Sequence, residues 1–164
     1  MKLVRTAIMV SAGLAAVPAL SQAPEPAPVE RNADYHNRQF LHLVSLAPSE
    51  GWRQTASGLR YRKVSGSADG PRPSATDTVT IHYVGRFIDG TEFDSSVERG
   101  EPATFPLPRL IRGWQEGVPL MSVGDRFEFA IPWHLGYGAA GRGPISGGAT
   151  LLFTVDLIAI GDPS

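Results

Sequence analysis

Residues 77–94 read DTVTIHYVGRFIDGTEFD, and they carry the clearest structural signal in the chain. Val79, Ile81 and Tyr83 stand at alternate positions, which predicts a β-strand with one buried face. The dipeptide Asp-Gly at 89–90 follows, and it favours a tight hairpin turn because both residues tolerate a left-handed backbone. The stretch therefore predicts two antiparallel strands joined by a short turn.

Further strand signals surround this hairpin, together with one helix signal. Residues 126–132 and 150–160 alternate between apolar and less apolar side chains, as strands do. Residues 110–121 (LIRGWQEGVPLM) space four large apolar residues on one helical face, and Gly117 and Pro119 mark the end of this helix. Several antiparallel strands with one short helix indicate an α+β fold, in which the helix packs on a curved sheet.

Composition excludes several classes of function. The chain has 164 residues, 42% of them hydrophobic, and a formal net charge of −1. This allows one packed domain and offers no basic stripe for nucleic acid. There is no cysteine, which excludes disulfides, thiolate metal sites and a cysteine nucleophile. The four histidines show no metal-ligand spacing, so we predict neither a metal nor another cofactor.

Two motif-like patterns fail on their context. Residues 136–141 (GYGAAG) match G-x-G-x-x-G, but a dinucleotide site needs a strand before the glycines and a helix after them. Neither residues 132–134 nor residues 142–144 supply such an element. Residues 94–96 (DSS) and His134 suggest a hydrolase, but no G-x-S-x-G nucleophile elbow is present. The sequence therefore lacks the residues for acid–base, nucleophilic or metal-dependent chemistry.

The N-terminus has the features of a secretory signal peptide. Lys2 and Arg5 form a charged start, residues 7–17 are apolar, and residues 21–23 (SQA) form a small-residue cleavage site. The apolar run is about half the length that a spanning helix requires. We predict that residues 1–23 are a signal peptide and that the protein is secreted, into a periplasm; the alternative is an uncleaved anchor. No cysteine follows the apolar run, so a lipoprotein anchor is excluded.

The segment between the signal peptide and the domain is short. Residues 24–34 (PEPAPVERNAD) are rich in proline and charge, which predicts a disordered tether. Phe40, Leu43 and Val44 then stand at helical spacing, which predicts a short amphipathic helix with these residues on its apolar side. The predicted organisation is a signal peptide at 1–23, a tether at 24–34, a helix and linker at 35–57, and a globular domain at 58–164.

Short stretches in this domain resemble, in sequence and in order, the FK506-binding protein (FKBP) family of peptidyl-prolyl cis–trans isomerases. Residues 55–61 (TASGLRY) are similar to the entry of the domain in secreted bacterial members of the Mip type. Each stretch alone is weak evidence of the family, but the set of stretches in this order is specific to it. The stretches are IHYVG at 81–85, GTEFDSS at 90–96, IRGWQEG at 111–117, MSVGD at 121–125, YG at 137–138 and ATLLF at 149–153.

The resemblance implies a twisted antiparallel β-sheet wrapped around one short α-helix, with a proline-binding pocket. Trp114 would form the pocket floor, and the Tyr137 hydroxyl and the Ile111 N–H would donate to substrate carbonyls. Asp94 would be the pocket carboxylate, held by Arg99. The implied catalytic residues are Tyr83, Phe93, Asp94, Trp114, Tyr137 and Phe153, and the implied substrate-binding residues are Leu110, Ile111, Ile145, Phe105 and Arg99.

Three positions depart from the family pattern. Ala103 stands where many members have an aromatic residue at the pocket edge, so we expect a more open rim. The segment before the helix, at Pro108 and Arg109, is shorter than in the small eukaryotic members. The flap at residues 142–148, which carries Ile145, is also slightly shorter.

The resemblance implies an isomerase that acts on proline-containing unfolded chains and peptides without a cofactor. Macrolides such as tacrolimus or rapamycin would inhibit it. Two alternatives remain: an FKBP-fold chaperone with little isomerase activity, and a structural or adhesion β-domain whose aromatic residues are only core. Mip-type relatives dimerise through a long helical N-terminal domain, and this chain has only one short predicted helix there. We therefore predict a monomer that binds neither nucleic acid nor, after signal cleavage, a membrane.

Overall fold

A seven-stranded antiparallel β-sheet is the main element of the fold. The computed structural model describes residues 33–161. In chain order the elements are α1 (Ala33–Ser45), β1 (Arg53–Gln54), β2 (Arg60–Ser65), β3 (Thr78–Arg86), β4 (Glu92–Ser95), β5 (Ala103–Pro106), α2 (Arg112–Gly117), β6 (Arg126–Ile131), β7 (Gly141–Arg142), β8 (Ile145–Ser146) and β9 (Leu151–Ile160). The large sheet has the order β1-β2-β6-β9-β3-β4, with β5 also pairing β3, and β7 and β8 form a separate hairpin. This arrangement confirms the predicted α+β class.

The predicted hairpin around residues 89–90 is confirmed. β3 pairs with β4, with Gly85 opposite Asp94. Gly90 has a φ of +88°, the left-handed conformation that glycine adopts without strain, and its N–H donates to the carbonyl of Phe87. β9 pairs with the edge of β3 opposite to β4, so β3 lies inside the sheet.

Alternating burial along the central strands also agrees with the sequence pattern. In β9 the buried positions are Leu151, Phe153, Val155 and Leu157. β3 buries Val79, Ile81 and Tyr83 on the same side of the sheet. Thr80 is buried on the other face, where its hydroxyl is hydrogen-bonded to that of Thr104. Alternate residues of a strand point to the same side. The apolar sides of β3 and β9 therefore face α2, and together they form one core.

Two glycines of the helix α2 face the sheet and leave no room for a side chain between them and β6. A Cβ at Gly113 would lie 2.5 Å from Cγ2 of Ile131, and one at Gly117 would lie 2.7 Å from Cε1 of Phe129. Since the two glycines are four residues apart, they share one helical face. At these two positions no side chain intervenes, so the helix backbone packs against the side chains of Ile131 and Phe129 in β6. Trp114, between them, is brought into the core and is only 5% exposed.

The helix α2 is shorter than the apolar spacing of residues 110–121 predicts. Ile111 has an extended backbone (φ −62°, ψ 151°) and precedes the first helical residue. The helix ends at Gly117, as predicted, and Val118–Leu120 continues as a 3₁₀ turn that contains Pro119. Pro119 has no N–H to donate to the preceding turn, which explains why the α-helix does not continue.

The N-terminal helix α1 is present, but its most deeply buried side is not the one that carries the large apolar residues. Phe40 is 62% exposed and Val44 is 47% exposed, whereas Tyr35 and Gln39 are each only 7% exposed. The buried positions are four residues apart, so they form one face of the helix. The spacing of the large apolar residues therefore indicated a helix correctly, but another face of it contacts the domain.

A buried polar contact joins α1 to the domain. The side-chain Oε1 of Gln39 accepts a hydrogen bond of 2.7 Å from the N–H of Thr150, at the start of β9. The same helix covers Gly148, where a Cβ would lie 2.8 Å from Nε2 of His36. β1, which pairs with β2, likewise belongs to the segment predicted as a linker. Residues 33–54 thus pack on the sheet.

Part of the predicted N-terminal organisation lies outside the described residues. The predicted signal peptide and residues 24–32 of the predicted tether are in that part of the chain, while residues 33 and 34 belong to α1. Within residues 33–161, the helices are too short or too polar to cross a membrane.

Two neighbouring residues of α1 should differ in their effect on stability. Gln39→Ala is expected to lower the free energy of unfolding by about 1–3 kcal/mol, because the buried N–H of Thr150 loses its acceptor. Phe40→Ala, the matched control, should change it by no more than about 0.5 kcal/mol, because that side chain is mostly exposed. Urea unfolding of both variants measures the difference. A larger loss in Phe40→Ala would contradict this orientation of α1.

Candidate active site

A cavity of about 470 Å³ opens between the sheet, the start of α2 and the loops that precede β8. β3 and β4 supply Tyr83, Phe93 and Asp94, and the adjoining loops and α2 supply most of the remainder. Its lining residues are Tyr83, Phe93, Asp94, Arg99, Phe105, Arg109, Leu110, Ile111, Trp114, Tyr137, Arg142 and Phe153. All the predicted site residues except Ile145 are in this set.

Aromatic rings packed edge to face enclose Trp114. The ring centroid of Trp114 lies 5.0 Å from that of Phe153, with an interplanar angle of 89°, and 5.3 Å from that of Tyr83, at 84°. Phe105 makes a third edge contact at 6.4 Å. The buried indole Nε1–H has no hydrogen-bond partner among residues 33–161. Ring packing alone therefore fixes the orientation of Trp114, since edge-to-face contacts are directional.

A small residue in β3 makes room for two of these rings. A Cβ at Gly85 would lie 2.8 Å from ring atoms of both Phe93 and Phe153. The rings of Phe93 and Phe153 meet edge to face, with centroids 5.6 Å apart. Because Gly85 has no side chain, both rings can pack against the strand backbone. The glycine of the IHYVG stretch is therefore required for the shape of this wall.

Three polar side chains form a closed hydrogen-bonded group at one wall. The Tyr83 hydroxyl donates to Oδ2 of Asp94 at 2.5 Å, and Nη1 of Arg99 donates to Oδ1 of Asp94 at 2.5 Å. Nη2 of Arg99 also donates to the Tyr83 hydroxyl at 2.9 Å, and the guanidinium lies 5.6 Å from the centre of the Tyr83 ring. The phenol therefore satisfies its polar end while its ring faces the cavity.

This group has well-defined charges at neutral pH. Burial raises the pKa of Tyr83, and the hydrogen bond to Asp94 raises it further. Partial burial acts to raise the pKa of Asp94, but hydrogen bonds from Tyr83 and Arg99 outweigh it and hold that pKa below its ordinary value. Hydrogen bonds to Asp94 and Tyr83 raise the pKa of Arg99 above its already high ordinary value. The wall thus holds a protonated phenol, a carboxylate and a guanidinium.

Behind this wall, Ser96 fixes the backbone of β3. The Tyr83 N–H donates to Oγ of Ser96 at 2.8 Å, and the Ser96 N–H donates to the Tyr83 carbonyl at 3.0 Å. Nδ1 of His82 shares a further hydrogen bond with the same Oγ at 3.0 Å. Ser96 is fully buried, so it has a structural role in the DSS stretch. The ring of His134 bonds instead to the Ser57 carbonyl, so His134 does not pair with a serine of the DSS stretch.

Two predicted hydrogen-bond donors remain, the N–H of Ile111 and the hydroxyl of Tyr137. Ile111 directly precedes α2, and Tyr137 lies in the glycine-rich loop at residues 136–141. Ile111 caps α2 at its N-terminus, where backbone N–H groups have no partner within the helix. Tyr137 is held by its loop, in which the Gly138 N–H donates to the Trp133 carbonyl and the Gly141 N–H donates to the Tyr137 carbonyl. Among the described residues, the Tyr137 hydroxyl has no hydrogen-bond partner. Residues 136–141 therefore form a loop that presents Tyr137.

The comparisons with known proteins agree with this geometry. Residues 70–158 match the family described as FKBP-type peptidyl-prolyl cis-trans isomerase. The chain belongs to the FKBP family. The protein FkpA of Aeromonas hydrophila, named an FKBP-type peptidyl-prolyl cis-trans isomerase, is 51% identical over 123 residues, which are 75% of this chain and 46% of that protein. The peptidyl-prolyl cis-trans isomerase Mip of Coxiella burnetii is 43% identical over 125 residues, which are 76% of this chain and 53% of that protein.

Solved structures place the fold in the same FKBP family. The crystal structure of FkpA from Escherichia coli matches with a TM-score of 0.75 and 36% identity, over 79% of this chain and 60% of that one. The sequence and structure together identify an FKBP of the bacterial FkpA and Mip branch. The chain spans about half the length of the curated relatives named above.

The FKBP pocket differs from the sequence prediction at three residues. Ile145 is buried in the core, 8% exposed, and does not line the cavity. Arg142, which pairs with Ile145 in the β7–β8 hairpin, lines the cavity instead. Arg109 is a further lining residue that sequence reasoning did not assign. One indication of these two arginines was present in the sequence. Arg109 and Arg142 lie in the two segments that are shorter than in the family pattern.

Replacing Asp94 by Asn should destabilise this FKBP domain in a pH-dependent way. The pKa of Asp94 in the folded protein lies below its unfolded value, so the ionised form adds stability above a pH of about 4. That contribution is lost as the pH falls through the folded-state pKa. We expect Asp94→Asn to cost at most about 1 kcal/mol near neutral pH, the range of partly exposed ion pairs. The two proteins should converge as the pH falls below the folded-state pKa of Asp94.

Urea unfolding at several pH values measures this convergence. Asp69→Asn, at an exposed loop position, is the matched control for removal of one carboxylate. A destabilisation by Asp94→Asn that is equal at neutral and acidic pH would contradict the ionised hydrogen-bonded group.

Proposed function

We propose that this FKBP domain is a peptidyl-prolyl cis–trans isomerase that accelerates rotation about X–Pro bonds in the folding of exported proteins. The observation that carries the proposal is the cavity with a Trp114 floor, aromatic walls and fixed polar groups at its edge. Such a cavity suits a compact apolar ring such as that of proline. Family membership and the names of the relatives support the same activity.

The reaction needs no group that donates or removes a proton. Rotation of a peptide bond meets a barrier of about 18–20 kcal/mol, which comes from amide resonance. The cis and trans forms of an X–Pro bond differ by only about 0.5–1 kcal/mol, so a catalyst only has to lower the barrier. In the twisted transition state the charge separation of the amide is reduced. An apolar cavity therefore favours the twisted amide over the planar one.

Fixed donors complete this complementarity to the transition state. In the proposed mechanism the proline ring lies on Trp114, and the N–H of Ile111 and the hydroxyl of Tyr137 bind carbonyl groups on either side of the rotating bond. The hydrogen-bonded group of Tyr83, Asp94 and Arg99 holds the wall in place. Groups that are fixed before the reaction stabilise the transition state without reorganising during it.

Two substitutions test this site. Trp114→Ala removes the floor and should lower kcat/KM for a proline peptide at least tenfold, while Tyr137→Phe removes one hydrogen bond and should lower it about two- to tenfold. NMR exchange on X–Pro peptides measures both. Trp133→Ala and Tyr61→Phe are matched controls, because these residues do not line the cavity. If Trp114→Ala unfolds, Trp114→Leu keeps the core filled and tests the same point.

Tacrolimus separates isomerase activity from the alternative of a chaperone with little activity. We propose that macrolides such as tacrolimus or rapamycin bind the same cavity and compete with proline peptides. Isomerase activity that tacrolimus inhibits supports the proposal. Suppression of aggregation without peptide isomerisation would favour the chaperone. A folded protein that binds neither peptide nor macrolide would favour a purely structural domain, and unchanged activity in both site variants would overturn the site assignment.

The assembly and location of the protein are also proposals. We propose a monomer, because within residues 33–161 a single short α-helix precedes the sheet. We propose export to the periplasm, supported by the signal-like composition of residues 1–23 and by the relative named outer membrane protein MIP from Legionella longbeachae. A dimer on size-exclusion chromatography would contradict the first, and a cytoplasmic pool on cell fractionation would contradict the second.

A further inference from the structure

The lining of the cavity carries an excess of positive charge. Three guanidinium groups line it, those of Arg99, Arg109 and Arg142, against the single carboxylate of Asp94. Arg99 is paired with Asp94, at 2.5 Å between Nη1 and Oδ1. Arg109 and Arg142 make no ion pair and no side-chain hydrogen bond with any residue from 33 to 161. Two cations at this opening are therefore uncompensated, in a chain whose formal net charge is −1.

The two unpaired arginines belong to the two segments that carry the proposed carbonyl donors. Arg109 ends the 3₁₀ turn Leu107–Arg109, two residues before Ile111. Arg142 lies in β7, in the hairpin that follows the loop of Tyr137. A chain that bound both donors would therefore pass between the segments of Arg109 and Arg142. Both side chains are exposed, so they are free to meet a bound peptide.

The apolar walls strengthen the effect of these charges. A cleft lined by charges of one sign, with low-dielectric walls, concentrates the electric field and raises the local concentration of the opposite charge. Phe93, Phe105 and Leu110 supply such walls around the opening. An acidic side chain beside the bound proline would be attracted, and a lysine would be repelled.

We propose that Arg109 and Arg142 make this isomerase select X–Pro segments that carry Asp or Glu next to the proline. The inference rests on the proposed function and specifies its substrate class. Each partly exposed ion pair contributes a small gain, so the two together should favour a Glu peptide over its Gln counterpart about three- to tenfold in kcat/KM. The selectivity is electrostatic and should decrease as salt is added.

Peptides with blocked ends test the selectivity without other charges. NMR exchange gives kcat/KM for acetyl-Ala-Xaa-Pro-Ala-amide with Glu, Gln or Lys at Xaa, and for a second pair with Glu or Gln after the proline. The expected order at low salt is Glu above Gln above Lys for at least one of the two positions. In Arg109→Gln/Arg142→Gln the Glu-to-Gln ratio should fall to about one. Arg72→Gln removes an exposed arginine that does not line the cavity, and should keep the wild-type ratio.

The outcomes separate this inference from the proposed function. No isomerisation of any peptide would overturn the proposed function itself. Normal turnover of the Gln peptides with a Glu-to-Gln ratio of one would overturn only the selectivity. A ratio above three that persists in the double variant would overturn its assignment to Arg109 and Arg142. A ratio that falls in the double variant, stays in Arg72→Gln and decreases with salt supports it.

Discussion

The burial of Tyr83 is the constraint on which the site depends. Its ring must face the core, where it contacts the rings of Trp114, Phe105 and Phe153. A buried phenol is stable only if its hydroxyl finds a partner, because an unpaired buried polar group costs about 1–3 kcal/mol. Asp94 and Arg99 supply that partner. The hydrogen-bonded group of Tyr83, Asp94 and Arg99 thus follows from placing one tyrosine at this position.

Close approach of backbone and rings determines the shape of the cavity. Gly113 and Gly117 let α2 rest on β6, and Gly85 lets Phe93 and Phe153 pack on β3. These glycines bring the walls together at their base, while the mouth stays open between separate loops. The N-terminal helix contributes at the same end of the molecule, because Gln39 binds the backbone at Thr150 and the helix covers Gly148. The loop that leads into β9 is therefore supported by a helix that lies outside the domain predicted at residues 58–164.

The charges of the site have two different roles. Arg99 neutralises Asp94 and orients the Tyr83 hydroxyl, so its charge is used within the protein. Arg109 and Arg142 have no such partner among the described residues and are available to a ligand. A cavity whose floor is apolar and whose rim is cationic combines two kinds of recognition. In the proposed function, the floor would bind proline through shape and burial, and the rim would respond to the charge of the residues next to that proline.

Resemblance to the FKBP family supplied most of the cavity lining, and the sequence by itself determined the hairpin, the inward faces of β3 and β9 and the end of α2. These features follow from local rules, since alternation fixes which side chains share a face, and Asp-Gly and Gly-Pro signals fix turns and helix ends. Only the tertiary structure decided which side of α1 is buried. The reason is that Gln39 bonds a backbone group 111 residues away, which outweighs the apolar character of Phe40. It also decided that Ile145 enters the core while Arg142 lines the cavity, because strands of only two residues carry no alternating pattern that could assign their side chains from sequence.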